Sequence, residues 1–196
     1  MRHEADDAKT QTQLQNITDA EAEALIVRSV ELFNEVRENW RQSEGREQGR
    51  VYPLCLAGIG PYGAYLANGA EYRGRYGVSK EVLRQFHARR MELLWNAGAD
   101  LLLIETQPSL QEALLEADLA EQLGADYWIS FTCGDDAHTW EGDDIRDCAK
   151  ALSENHPHLK MIGVNCVAPH LVSSLIENLK AGCGLPIGVY PNSGET

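Results

Sequence analysis

Five apolar runs in this chain break off in the same way, into polar or glycine-rich residues. They lie at 54–63 (LCLAGIGPYG), 101–108 (LLLIETQP), 127–133 (YWISFTC), 161–166 (MIGVNC) and 186–194 (PIGVYPNSG). Helical patterns fill most of the intervals. Strands alternating with helices specify an α/β fold with a parallel sheet. In such folds the chemistry gathers where strands leave the core at their carboxyl ends. The five tips are therefore where functional residues are sought.

The helical segments carry their own boundary signals. Thr18 and Glu21 form a capping box ahead of a stripe through Leu25, Ile26, Phe33, Val36 and Trp40. Ser79 caps a helix that Gly98 stops. Ser109 and Glu112 read as a second capping box, opening a helix that Gly124 ends. Further helices are expected at about 144–155 and from Pro169 to Gly182. Residues 61–78 read as a long glycine- and tyrosine-rich loop, a length that suits a binding loop. The edge strands are expected at 51–58 and 186–190. Residues 1–17 are expected to form a disordered tail, and 18–196 one domain.

Charge and composition remove several classes. A net charge of −13 opposes a nucleic-acid surface, which needs a basic stripe. No apolar run is long enough for a membrane span. The polar start of the chain is not a secretory signal, so a cytoplasmic, reducing setting is expected. The five cysteines form no C-x-x-C pair, and at least three are expected to be reduced, buried thiols.

The segment from Gly58 to Gly63 matches G-x-G-x-x-G, but the expected helix start lies some fifteen residues on. No acidic residue follows at the dinucleotide spacing either, so a nicotinamide site is rejected. Glu105 stands where its strand leaves the core. It is either a carboxylate satisfied by a neighbouring helix N-terminus or one aimed at a substrate ammonium. Asn165 and Cys166 occupy the same place on their strand. The thiol could be a nucleophile, a metal ligand or filler. The six histidines show no metal-binding spacing and are not read as ligands.

Taken in order, GIGPYGAYLANGAEYRG, LLLIETQPSLQEA, ISFTC, GVNC and VYPNSGE resemble the homocysteine S-methyltransferase family over about residues 17–195. The branch they resemble is the S-methylmethionine/S-adenosylmethionine:homocysteine methyltransferases. The resemblance implies a (β/α)8 TIM-barrel fold, here incomplete, with five parallel strands matching strands three to seven of the pattern. It implies methyl transfer from a sulfonium donor to homocysteine, giving methionine. It also implies a zinc ion held by three thiolates. Cys166 of the G-V-N-C motif would be one. The G-G-C-C pair that supplies the others is absent, as is the opening D-G-[AG] strand. Glu105 and Thr106, with Asn165, Gly60 and Tyr62, would bind substrate. Homocysteine's thiol, which titrates near 8.5 when free, would be deprotonated by the zinc and attack the donor methyl in line. The alternatives are a catalytically inactive fragment or paralogue lacking two zinc-ligand cysteines, and an unrelated barrel lyase or isomerase with Glu105 as base. Self-association through open sheet edges is expected as well.

Overall fold

The structure is a computed structural model that describes residues 17–193. The tail expected over 1–17 lies outside the described residues except for Ile17, as do residues 194–196. In chain order the main elements are α1 (Asp19–Trp40), β1 (Leu56–Ile59), α2 (Tyr62–Tyr65), α3 (Lys80–Asn96), β2 (Leu101–Gln107) and α4 (Leu110–Leu123). They continue with β3 (Tyr127–Phe131), α5 (Ile145–Asn155), β4 (Leu159–Asn165), α6 (Val172–Gly182) and β5 (Ile187–Tyr190). All four strand pairings are parallel, and the strand order is β1-β2-β3-β4-β5.

That order decides between α/β architectures. A doubly wound sheet reverses its order at a switch point and carries helices on both faces. Here the order never reverses, and α1, α3, α4, α5 and α6 each touch the next in one row. The helices therefore form a single layer, as in a (β/α)8 barrel. Five strands of that arrangement are present, in one open sheet.

Side chains alternate across the strands. Leu102, Ile104, Tyr127, Ile129, Phe131, Ile162 and Val164 are buried toward the helices. There they meet Leu83, Met91, Leu119, Leu152, Leu175 and Leu179 in one core. The other face carries Gly58, Leu103, Glu105, Trp128, Asn165 and Tyr190, several of them half-buried. It is concave. Tyr190 on β5 hydrogen-bonds Glu105 on β2 at 3.1 Å, although a flat sheet would separate these strands by about 14 Å.

The caps explain most boundaries. Thr18 accepts from the Glu21 amide, and Glu21 reaches back to the Thr18 amide at 2.8 Å. Ser79 caps α3, and Asp144 caps α5. The Ser109–Glu112 box is only half formed. Ser109 accepts from the Glu112 amide, but the Glu112 carboxylate turns to Tyr62 and His87. A further difference lies in 61–78, where the one-turn α2 and a 3₁₀ turn at Ala70–Tyr72 interrupt the expected loop. Helix α2 does start at the G-x-G-x-x-G segment, but four residues are too few for a dinucleotide-binding helix N-terminus. Both edge strands are shorter than expected, at four residues each.

Candidate functional site

The site begins with an irregularity in β2. Leu102 to Ile104 pair in step with Tyr127 to Ile129, but the next partners are Gln107 and Phe131. Three steps on β2 thus match two on β3, so β2 bulges at Glu105–Thr106. Thr106 adopts a left-handed φ of 60° there. A bulge bends its strand and re-aims its side chains.

Asn165, the buried last residue of β4, ties this bulge to Cys166. Its Oδ1 accepts from the Thr106 amide at 2.9 Å. Its Nδ2 donates to Thr106 Oγ1 at 2.7 Å and to Cys166 Sγ at 3.3 Å. Thr106 Oγ1 also faces the sulfur at 3.8 Å. Cys166 has a left-handed φ of 52°. Its amide donates to Tyr190 O at 3.3 Å, and its carbonyl accepts from the buried Thr132 hydroxyl at 3.3 Å. Thr106 on β2, Thr132 just after β3 and Tyr190 on β5 thereby fix the half-exposed thiol at the rim that Glu105 occupies.

The Glu105 carboxylate lies on the concave face. A Cβ on Gly58 would sit 2.9 Å from Glu105 Oε1, so the glycine leaves the room that the carboxylate fills. Burial, then the charge of Glu105, pushes the Tyr190 phenol far up, so it stays protonated and donates to Glu105 Oε2. Trp128 packs edge-on against Tyr190 at 5.4 Å. A carboxylate with one phenol donor and a partly open face can take an ammonium group.

Four of the sequence-derived candidates therefore converge: Glu105, Thr106, Asn165 and Cys166. Gly60 and Tyr62 sit at the tip of β1, and their backbone bonds run to the helices. Gly60 O accepts from Arg90 Nη2 at 3.2 Å, and the Tyr62 amide donates to Glu112 Oε1 at 2.7 Å. The Tyr62 ring packs with Tyr65, Tyr76 and Phe86 at centroid distances of 5.8, 5.6 and 5.0 Å. Tyr72 is the loop tyrosine that interacts with Cys166. Burial, then the Cys166 sulfur, raises the pKa of the Tyr72 phenol. Tyr62 stands out through the GIGPYG segment, but nothing in the sequence marks Tyr72, so it was not among the candidates.

A zinc ion needs three or four protein ligands. Among the described residues this rim supplies one thiol, Cys166. Cys133 at the next strand tip is buried and bridged to Thr139, and burial, then Asp135, pushes its thiol up to about 12. Cys148 is buried in the core. The described rim accommodates one zinc ligand and does not by itself make a zinc site. Another group able to hold a metal is buried away from it: His87, Glu112 and Glu116, with one ligand atom from each within 4.8 Å of the others.

A family model described as homocysteine S-methyltransferase matches residues 6–196. The chain belongs to the homocysteine S-methyltransferase family. Homocysteine S-methyltransferase YbgG of Bacillus subtilis is 44% identical over 180 residues, covering 91% of this chain and 57% of that protein. Homocysteine S-methyltransferase of Escherichia coli is 42% identical over 183 residues, again covering 91% and 57%. The crystal structure of the metallated homocysteine methyltransferase MmuM from Escherichia coli superposes with a TM-score of 0.85 at 39% identity. The match covers 93% of this chain and 62% of that one. The chain thus spans a little over half the length of these curated relatives. Among the described residues, no helix is long and apolar enough to cross a membrane.

Proposed function

We propose that this chain carries the central part of a site that methylates the sulfur of homocysteine, giving methionine. The carrying observation is the knot centred on Asn165, which sets the Cys166 thiol beside Thr106 and on the same rim as Glu105. In this reading Glu105, steadied by Tyr190, holds the substrate ammonium. Asn165 and Thr106 orient the Cys166 sulfur as one ligand of a zinc ion, with further ligands from outside the described residues. Bound zinc would supply a Lewis acid that keeps the homocysteine sulfur deprotonated at neutral pH. The donor read here is a sulfonium, S-methylmethionine or S-adenosylmethionine, which carries its own leaving group. The chain's residues then supply positioning and charge rather than a general acid. Five free cysteines suit a reducing, cytoplasmic setting.

The test is a chimera in which this chain replaces the matching segment of the Bacillus subtilis relative. It should form methionine from homocysteine and a sulfonium donor. Cys166→Ala and Glu105→Ala should each cut the rate by about a hundredfold or more, and Cys148→Ala should not. Full activity in the Cys166→Ala chimera would overturn the reading. A folded chimera that makes no methionine would favour an inactive paralogue.

A further inference from the structure

We infer that Glu112, together with His87 and Arg90, is a positioning group that clamps the turn after β1 and so fixes that side of the rim. The inference rests on the methyltransferase reading for what the rim does, but the clamp itself is read from geometry. Glu112 stands at the position where a capping box would return its carboxylate to the helix start. Instead Oε1 accepts from the Tyr62 amide at 2.7 Å and faces His87 Nε2 at 2.8 Å. Arg90 Nη2 donates to Gly60 O at 3.2 Å and lies 3.0 Å from His87 Nδ1. The backbone groups on either side of Pro61 are thus both held by this one cluster. Glu112 comes from α4, and His87 and Arg90 come from α3, so the turn is fastened to two helices at once.

The cluster is dry. His87 and Glu116 are fully buried and Glu112 nearly so. Unpaired charges are not tolerated at such depth, so the four groups must balance. Two carboxylates, Glu112 and Glu116, face one guanidinium and one imidazole. With Glu116 ionised, a protonated His87 brings the sum to zero. Burial works against that charge, but Glu116 and Glu112 outweigh it and push its pKa up to about 9. Tyr76 lies on the loop side, where burial and then Glu112 keep its phenol protonated. A metal ion fits less well, although the three ligand types are present. The two ring nitrogens already face different carboxylates, at 2.8 and 3.0 Å, and the Arg90 guanidinium stands beside them.

The test is residue-resolved amide hydrogen exchange on the full 196-residue chain, which needs no methyl transfer. Failure of the clamp is therefore distinguishable from failure of the proposed reaction. Glu112→Ala should speed exchange at Tyr62 by about tenfold or more while the amides of Met91 and Leu115 stay within about twofold. Glu112→Gln keeps an oxygen for the Tyr62 amide and should restore exchange to within about threefold of the parent. Equal exchange at Tyr62 in the parent and Glu112→Ala would overturn the inference, as would no rescue by glutamine. If the alanine variant does not fold, Arg90→Gln decides. A shift of the Gly60 carbonyl ¹³C resonance with the fold retained supports the clamp, and an unmoved resonance overturns it. Stoichiometric zinc or manganese bound by the parent chain and lost in His87→Gln would also overturn it, in favour of a metal site.

Discussion

At the scale of single residues, Asn165 is the side chain on which the rim depends. It accepts from the Thr106 amide and donates to the Thr106 hydroxyl and the Cys166 sulfur. Asn165→Ala leaves the Thr106 amide without its acceptor at a half-buried place, which costs about 1–3 kcal/mol. Urea unfolding should show a loss of about 2 kcal/mol, and an unchanged midpoint would contradict this role. Glu105, Asn165 and Cys166 were legible in the sequence because each follows an apolar run, and the pleat delivers such residues to the rim. Glu112 and His87 were not. Glu112 sits three residues after Ser109, which imitates a capping box. His87 falls in the stripe Leu83–His87–Met91–Leu94, where it reads as one polar interruption of a core face. The cluster exists only because α3 and α4 pack side by side, which no local pattern reports.

At the scale of elements, the helices were the most legible, since Thr18, Ser79 and Gly124 mark their ends chemically. The bulge in β2 was hidden, because LLLIETQ has the composition of an unbroken strand. Its cause lies elsewhere in the chain: pairing with β3 and the side chain of Asn165, 59 residues from Thr106. The one-turn α2 is too short to show periodicity, and the strand before it was read too long because Val51 and Leu54 are apolar yet exposed. Between α5 and α6 the decisive residue is Gly182. A Cβ there would lie 2.3 Å from the Arg146 carbonyl oxygen and 2.8 Å from Ala149 Cβ. The backbone of α5 cannot yield cheaply, so Gly182→Ala should destabilise by about 1–3 kcal/mol through overpacking. Thermal unfolding of the pair checks this, and an unchanged Tm would mean the helices separate freely.

At the scale of the whole molecule, two buried groups tie stability to pH. Burial pushes the Glu116 carboxyl from 4.5 up to about 7, against the pull of His87. His87 itself moves from 6.5 up to about 9. A group that holds its proton more tightly when folded stabilises the fold at low pH, and that stability is lost as pH rises through the folded pKa. Both contributions have this sign, the first declining between pH 4.5 and 7 and the second between 6.5 and 9. The urea midpoint should therefore fall from pH 5 to pH 9, and His87→Gln should flatten the part above 6.5. Carboxylates held low, such as Asp126 and Asp135, act at more acidic pH. Among the described residues, β1 and β5 each have a sheet neighbour on one side only, and neither carries a charged side chain. Such edges favour pairing with another chain, and a net charge of −13 opposes it. Salt screens the repulsion over about 10 Å at 0.1 M and leaves the edges untouched. Light scattering behind size exclusion should show association that grows with salt. A monodisperse monomer at every ionic strength would contradict it.

The left-handed backbone at Thr106 and Cys166 bears on how this sequence can drift. A side chain in that conformation costs roughly 1–2 kcal/mol, and glycine removes the cost. At Cys166 the side chain accepts weak sulfur hydrogen bonds from Thr106 and Asn165, so little would be lost in exchange. A lineage selected for heat resistance alone has a one-step improvement available at Cys166, and that step deletes the thiol. Cysteine persisting at residue 166 across sequences adapted to hot environments would thus record selection for chemistry, because folding by itself pulls the other way.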